Sequence, residues 1–321
     1  MAWLNISVAL FCALALPSTV HAQSGFPSRS LTLVVPFSAG SVADVVARLI
    51  ADRMSDSLKQ QVQIENRPGA GSIVASRAVA TAPPDGYTML WVGNHHAIGK
   101  SQFKSLPFDI LTDFKPISTV SFFEVLIVTR RDSPIRKIDD LIKTAQANPG
   151  KLNAATSPVG STQNLSAELL KSVAKIDFKI VPFRTTADQI TAVLRGDVDF
   201  AFDNYTSTEG LIADRQIHVI ASTGPHRTSY LPEVPTVIES GLNYEVVTWT
   251  GIAVPAATPP DIVDILNKAV NDGVPVIESK GAGKKIGQEM RASRPEAVTE
   301  RLVDDIAKWS AVIEAAGIPK Q

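Results

Sequence analysis

The sequence has 321 residues, with 31 basic and 32 acidic side chains, 45% hydrophobic residues and a single cysteine. That length accommodates two domains with ample cores, and a charge balance this even, with no run of like charge, argues against a nucleic-acid-binding or anionic-membrane surface. One cysteine excludes a scaffold built on disulfides.

Residues 1–22 read as a segment removed on export. An apolar stretch from Ile6 to Leu16 is followed by the helix-breaking Pro17 and by Val20-His21-Ala22, a cleavage site of the A-x-A kind. The mature chain is expected to start near Gln23, in the periplasm, although no Lys or Arg precedes Arg29 to supply the usual basic start. An uncleaved anchor is the alternative, but the stretch is short of the roughly 20 residues that cross a bilayer. Lipid attachment at Cys12 is disfavoured by the bulk of Phe11 before it. Removal of the segment takes Cys12 with it and leaves no thiol nucleophile.

Short apolar runs then alternate with helical patterns. SLTLVVPF precedes VADVVARLIADRMSDSL, QVQIEN precedes GSIVASRAVAT, YTMLWVGN stands alone, and FEVLIVTR precedes KIDDLIKTAQAN. In the second half KLNAAT leads to TQNLSAELLKSVA and FKIVPF to ADQITAVLRG, followed by VDFAFD and HVIAST. Strands alternating with helices of about 10 to 15 residues predict an α/β fold, with helices on both faces of parallel sheets. RPGAG, APPDG, NPG and VPAATPP mark turns. From Pro295 the tail is an amphipathic helix with Val298, Leu302, Ile306, Trp309 and Ile313 on one stripe, packed on a sheet.

Reacting groups are scarce. The chain has no G-x-S-x-G elbow, no H-E-x-x-H and no phosphate-binding G-x-x-x-x-G-K-[ST]. His95 and His96, read as strand-end residues, would face opposite ways and could not share a metal. RPGAGSIVA resembles a dinucleotide fingerprint, but the strand after it ends Trp91-Val92-Gly93-Asn94 with no acid for a ribose. No catalytic residue, metal or cofactor is therefore expected.

Two loops carry chemistry in their backbone. After the first strand, Phe37, Ser38, Ala39, Gly40 and Ser41 lead into a helix with no charged side chain before Asp44. A helix N-terminus offers unpaired N–H groups and about half a positive charge, an anion site needing no cationic side chain. The main-chain N–H groups from Ser38 to Ser41 are the expected donors. Ser41 and Asp44 also fit a capping box in which Asp44 reaches back to the Ser41 N–H, so the loop can equally be read as a well-made helix start. A second loop of similar build runs from Thr156 through Ser157, Gly160 and Ser161 to Thr162. Two such loops facing one cleft could hold one carboxylate between them, or one each of a dicarboxylate.

PFSAGSVADVVARLIA, IENRPGAGSIVASRAVATAPPDGYTML, LPFDILTDFKPIS, SPVGSTQNLSAELL, GDVDFAFDN, LPEVPTVIESGL and WTGIAVPAATPPDIVDILN resemble, in this order, the blocks of the periplasmic receptors of tripartite tricarboxylate transporters. The resemblance spans essentially the whole mature chain. It implies a two-lobed, type II periplasmic binding fold with a central cleft and two hinge crossings: residues 23–123 plus 228–321 in one lobe and 124–227 in the other. It further implies a monomeric receptor for a small organic carboxylate, with a transporter's membrane components or a sensor kinase as partner and no nucleic acid. By position, Phe37, Ser38, Ala39 and Gly40 match the first carboxylate loop, Ser157, Gly160, Ser161 and Thr162 the second, and Asp203 an acid opposite them. The chain departs from the pattern at Ser41, where a second glycine is usual, at Val42-Ala43, and at Asn164, where a histidine is common. Arg184 is a candidate cation at the cleft edge, though it reads first as a solvated surface arginine. An enzyme using the same cleft with Asp203 as base, and an interaction module without a ligand, are the competing readings.

Overall fold

The computed structural model describes residues 25–321; the export segment read over 1–22, with Cys12, lies outside them. Strand β1 (Leu31–Val35) is buried almost throughout, as a strand covered on both faces requires. Helix α1 (Val42–Leu58) turns Val46, Ile50 and Met54 inward, one side chain every four residues. Strands β2 (Val62–Asn66) and β3 (Thr88–Gly93) pair in parallel with the two edges of β1. Helix α2 (Ile73–Ala80) connects them, and α3 (Asn94–Gln102) leaves β3 without a loop. His95 and His96 thus stand in the first turn of a helix, not at a strand end, and their ring centroids are 4.1 Å apart.

The next strand organises the molecule. Strand β4 (Phe114–Arg130) has 17 residues, and its Pro116, which has no N–H to donate, sits at a register shift. Its second half enters another sheet, built from α4 (Ile138–Ala147), β5 (Asn153–Thr156), α5 (Thr162–Ala174), β6 (Lys179–Pro182), α6 (Thr186–Arg195), β7 (Phe200–Asn204), α7 (Tyr205–Ala213) and β8 (Ile217–Ser222). The chain then returns through β9 (Val247–Pro255), α8 (Pro260–Ser279), the short α9 (Ala282–Lys285), β10 (Glu289–Met290) and α10 (Pro295–Ala315). One sheet has the order β2-β1-β3-β9-β4-β10 and the other β8-β4-β7-β5-β6, with β4 common to both. The α/β alternation read from the sequence and its two sheet-centred lobes are both present, but the sheets are mixed and not parallel as expected, because β4 and β9 run antiparallel to the strands they pair with. Among the described residues no helix is long and apolar enough to cross a membrane.

The chain passes between the sheets twice, first within β4 and again just before β9. Both passages are tied by Thr223, fully buried, whose Oγ1 accepts from the Val125 N–H at 2.9 Å and donates to the Val246 carbonyl at 2.7 Å. Thr223 and Val246 also bond through their backbones. Residues 228–246 stay with the second sheet, because Leu231 and Val234 pack among Leu126, Val128 and Val219 and Ser222 exchanges backbone bonds with Pro235 and Val237. These contacts tie residues 231–237 to the second sheet, on the far side of the expected passage at 227/228. Helix α10 packs against β4, α3 and α5, burying Val298, Leu302, Trp309 and Ile313, with Ile306 partly covered.

His96 joins α3 to α2. Its Nδ1 accepts from the Gly93 N–H at 3.4 Å, so the proton is on Nε2, which lies 2.9 Å from Ser76 Oγ. Burial pulls its pKa down to about 3. Because the folded value lies below the unfolded one, the unfolded chain takes up a proton that the native state excludes. Stability is complete above about pH 6.5 and declines as pH falls from there toward 3. Urea unfolding should show His96→Gln losing about 2 kcal/mol less than the wild type between pH 8 and pH 5; equal losses contradict a neutral buried His96. Thr223→Val, which leaves a buried donor and acceptor unpaired, should cost about 2 to 4 kcal/mol in the same assay.

Candidate functional site

The two sequence-predicted loops have the same internal construction. In the first, Gly40 has φ 79°, the left-handed region that glycine enters without strain. Ser41 follows in an extended conformation as the cap of α1, and its Oγ accepts from the Asp44 N–H at 3.3 Å. Asp44 Oδ2 accepts from the Gly40 N–H at 2.9 Å, not from Ser41 as the capping-box reading expected. The Ser41 N–H instead donates to the Ser38 carbonyl at 3.2 Å. In the second, Gly160 has φ 81°, Ser161 Oγ accepts from the Asn164 N–H at 3.2 Å, and Asn164 Oδ1 accepts from the Gly160 N–H at 3.1 Å. The Ser161 N–H donates to the Pro158 carbonyl at 3.0 Å.

The consequence is a shift in which donors are free. Gly40, Ser41, Gly160 and Ser161 spend their N–H groups inside their own loops. The first two helical residues of each helix, Val42 and Ala43 in α1 and Thr162 and Gln163 in α5, have no carbonyl one turn earlier in the helix to receive theirs. These four residues line one cavity of about 520 Å³.

Electrostatics favour an anion there. Asp44 is 2% exposed; burial raises its pKa, but Arg48, the Gly40 N–H and Asn66 outweigh that and hold it below the usual carboxylate range. Arg48 Nε lies 3.0 Å from the same carboxylate and neutralises it, and Asn66 Nδ2 donates to its other oxygen at 2.9 Å. Asn164, at the matching position of α5, is uncharged. Both helix ends keep their positive potential for whatever occupies the cavity.

Of the residues singled out in the sequence, Phe37, Ser41, Gly160, Ser161 and Thr162 line the cavity. Ser38, Ala39 and Gly40 are exposed outside its wall. Thr156 is buried behind Ser157, where its Oγ1 donates to the Ser157 carbonyl. Asp203, 1% exposed, also lies behind the wall. Its Oδ1 accepts from the Asn204 N–H at 2.7 Å and from Ser207 Oγ at 3.1 Å, an arrangement that organises the start of α7, and burial raises its pKa to about 6. Arg184 is exposed and apart from the cavity.

Other lining residues had drawn no role from the sequence. His95 packs edge-on to Phe37, with centroids 5.1 Å apart, and burial and His96 push its pKa well below the ordinary imidazole value. Its Nε2, Thr248 Oγ1 and Gln288 Oε1 are buried without hydrogen-bond partners, and all three residues line the cavity. His95 was findable: it follows a strand at the same end of the sheet as the first loop, where ligands of open α/β sheets bind. The RPGAG turn reaches the wall through Gly69 and Gly71. Among the described residues that line the cavity there is no carboxylate, amine, guanidinium or thiol. Phe37, Val46, Ile98, Phe103, Phe123 and Trp249 give it an apolar wall. Contacts between the lobes border it: Asn94 Nδ2 donates to Thr162 Oγ1 and Thr206 Oγ1 to the Ile286 carbonyl, each at 2.9 Å. A wider groove of about 730 Å³ along α10 carries Arg291, Glu300, Arg301, Asp304 and Lys308, charges of both signs that favour no one ligand charge.

The family model described as the tripartite tricarboxylate transporter family receptor matches residues 46–318. A protein of Pseudomonas sp. strain P51, named for the tcbD–tcbE intergenic region, is 34% identical over 92% of this chain and 89% of its own. Two solved structures are similar: Rpa4515 of R. palustris with adipate, 31% identical with a TM-score of 0.78 over 92% of this chain and 99% of that one, and MatC of Rhodopseudomonas palustris with bound malate, 30% identical with a TM-score of 0.73 over 90% and 100%. A Polaromonas solute-binding protein, 24% identical with a TM-score of 0.80 over 90% and 99%, shares the fold, the two-lobed periplasmic binding fold. By the reach of that family match and the identity of these relatives, the chain belongs to the tripartite tricarboxylate transporter receptor family, the periplasmic solute-binding proteins.

Proposed function

We propose that this protein is an exported receptor that captures a small organic carboxylate between its lobes and delivers it to the membrane components of a tripartite transporter, without transforming it. The observation that carries this reading is the pair of matched loops, each leaving two helix-start N–H groups free on one cavity. The adipate and malate held by Rpa4515 and MatC support the ligand class. In this reading the lobes are residues 25–123 with 247–321, and 124–246. They close about Glu124–Val125 and the segment from Thr223 to Val247, α1 supplying two donors from one lobe and α5 two from the other. A carboxylate therefore binds strongly only when the lobes are together, which converts occupancy into a shape that a membrane partner recognises. The protein acts as a monomer, and residues 1–22 direct it to the periplasm.

The magnitudes are sufficient. A hydrogen bond to a charged group contributes about 1.5 to 3 kcal/mol, and micromolar binding needs about 8 kcal/mol, within the reach of four such bonds. The reading predicts that a panel of mono- and dicarboxylates contains a compound that raises the melting temperature by several degrees at a hundred times its dissociation constant. Val42→Pro and Thr162→Pro test the donors directly. Proline is well accommodated at the first position of a helix, and Ser41 and Ser161 already hold the extended geometry (ψ 160° and 161°) that a following proline requires. Val42→Pro should keep the wild-type melting temperature without ligand, Thr162→Pro should lower it somewhat because it also removes the acceptor of the Asn94 bond, and each should lose about ten- to a hundredfold in affinity by calorimetry. Unchanged affinity in both variants contradicts the proposal.

A further inference from the structure

The two helix ends account for one carboxylate; the rest of the cavity describes the remainder of the ligand. Each helix end carries about half a positive charge, so α1 and α5 together balance one carboxylate. Among the described residues lining the cavity none supplies a cation for a second carboxylate, and none supplies an anion for an ammonium group. Asp203 does not serve, since it lies behind the wall and is occupied by Asn204 and Ser207. A dicarboxylate or an amino acid would thus bury a charge without a partner.

What the cavity offers instead is apolar surface and a few neutral polar atoms. Phe37, Phe103 and Phe123, each only partly buried, present aromatic surface, and aromatic side chains hold flat rings edge to face or offset-stacked. About 520 Å³ is ample for a ring-sized acid. The polar atoms without partners are those of His95, Thr248 and Gln288. Thr248 is 8% exposed and Gln288 4% exposed, and polar groups so buried are normally hydrogen-bonded. They match a neutral hydroxyl, which both donates and accepts without adding charge.

Taking the carboxylate reading as its basis, we propose that the ligand is a cyclic, typically aromatic, monocarboxylate that bears a neutral hydrogen-bonding group, with the ring among Phe37, Phe103 and Phe123 and the neutral group among His95, Thr248 and Gln288. This departs from the acyclic dicarboxylates of the two similar structures.

Calorimetric titration of ligand-free protein with benzoate, 4-hydroxybenzoate, cyclohexanecarboxylate, succinate, malate and adipate tests it. 4-Hydroxybenzoate should bind tightest, at least tenfold more tightly than any of the three dicarboxylates and at least threefold more tightly than benzoate. In the double variant His95→Phe, Thr248→Val the advantage of 4-hydroxybenzoate over benzoate should vanish while benzoate still binds, which also shows that the variant is folded. Tighter binding of succinate, malate or adipate than of every cyclic acid overturns this inference and leaves the carboxylate receptor standing. Equal affinity for benzoate and 4-hydroxybenzoate in the wild type overturns the assignment of the neutral group. If none of the six acids binds, the carboxylate reading itself fails.

Discussion

The site depends on one local device, the return of the third helical residue's side chain to the N–H of a glycine with positive φ. Asp44 does this for Gly40 and Asn164 for Gly160. The bond satisfies the loop amide most in need of a partner and holds the serine cap in place, so the next two amides stand unpaired at the head of each helix. The anion site proposed for the cavity would thereby be made from backbone alone. The device also explains why the two positions differ in charge at little cost. Asp44 is matched by Arg48 and Asn66, whereas Asn164 is neutral, and either arrangement leaves the helix end positive.

The second requirement is that the two helix ends belong to different lobes and still face one cavity. Strand β4 supplies this by running through both sheets, and Thr223 fastens the returning chain to it at the crossing. Helix α10 packs on elements of both lobes, so the passage region is braced while the loops at the cleft remain at the surface. Few bonds cross the cleft itself: Asn94 to Thr162 and Thr206 to Ile286 are single polar contacts. In the proposed closure these are the bonds that opening would break, about the two crossing strands.

Much of this was legible in the sequence, and the misses have physical causes. Strand and helix alternation identified the α/β class because each run is bounded by turn residues and keeps one period. The Ser41–Asp44 spacing announced a cap, but which amide Asp44 reaches depends on the tightness of the turn at Gly40, a backbone property that spacing does not encode. For that reason two of the four expected donors, Gly40 and Ser41, are bonded within their own loop. His95 and His96 read as strand-end residues in the sequence because β3 passes into α3 with no turn residue beyond Gly93. The stretch 228–246 has little regular structure, and its attachment to the second sheet rests on Leu231, Val234 and the backbone of Ser222, none of which forms a periodic pattern. Thr248 and Gln288 could be recognised only in three dimensions, since the relevant property is the absence of a partner around a buried atom.

The most direct measurement is amide NMR of 15N-labelled protein titrated with the tightest-binding carboxylate. The account predicts that the amide protons of Val42, Ala43, Thr162 and Gln163 move downfield and saturate together at one equivalent, while those of Gly40 and Ser41 keep their internal bonds and their shifts. Saturable binding that leaves those four amides in place, or that instead moves Gly40 and Ser41, would contradict it.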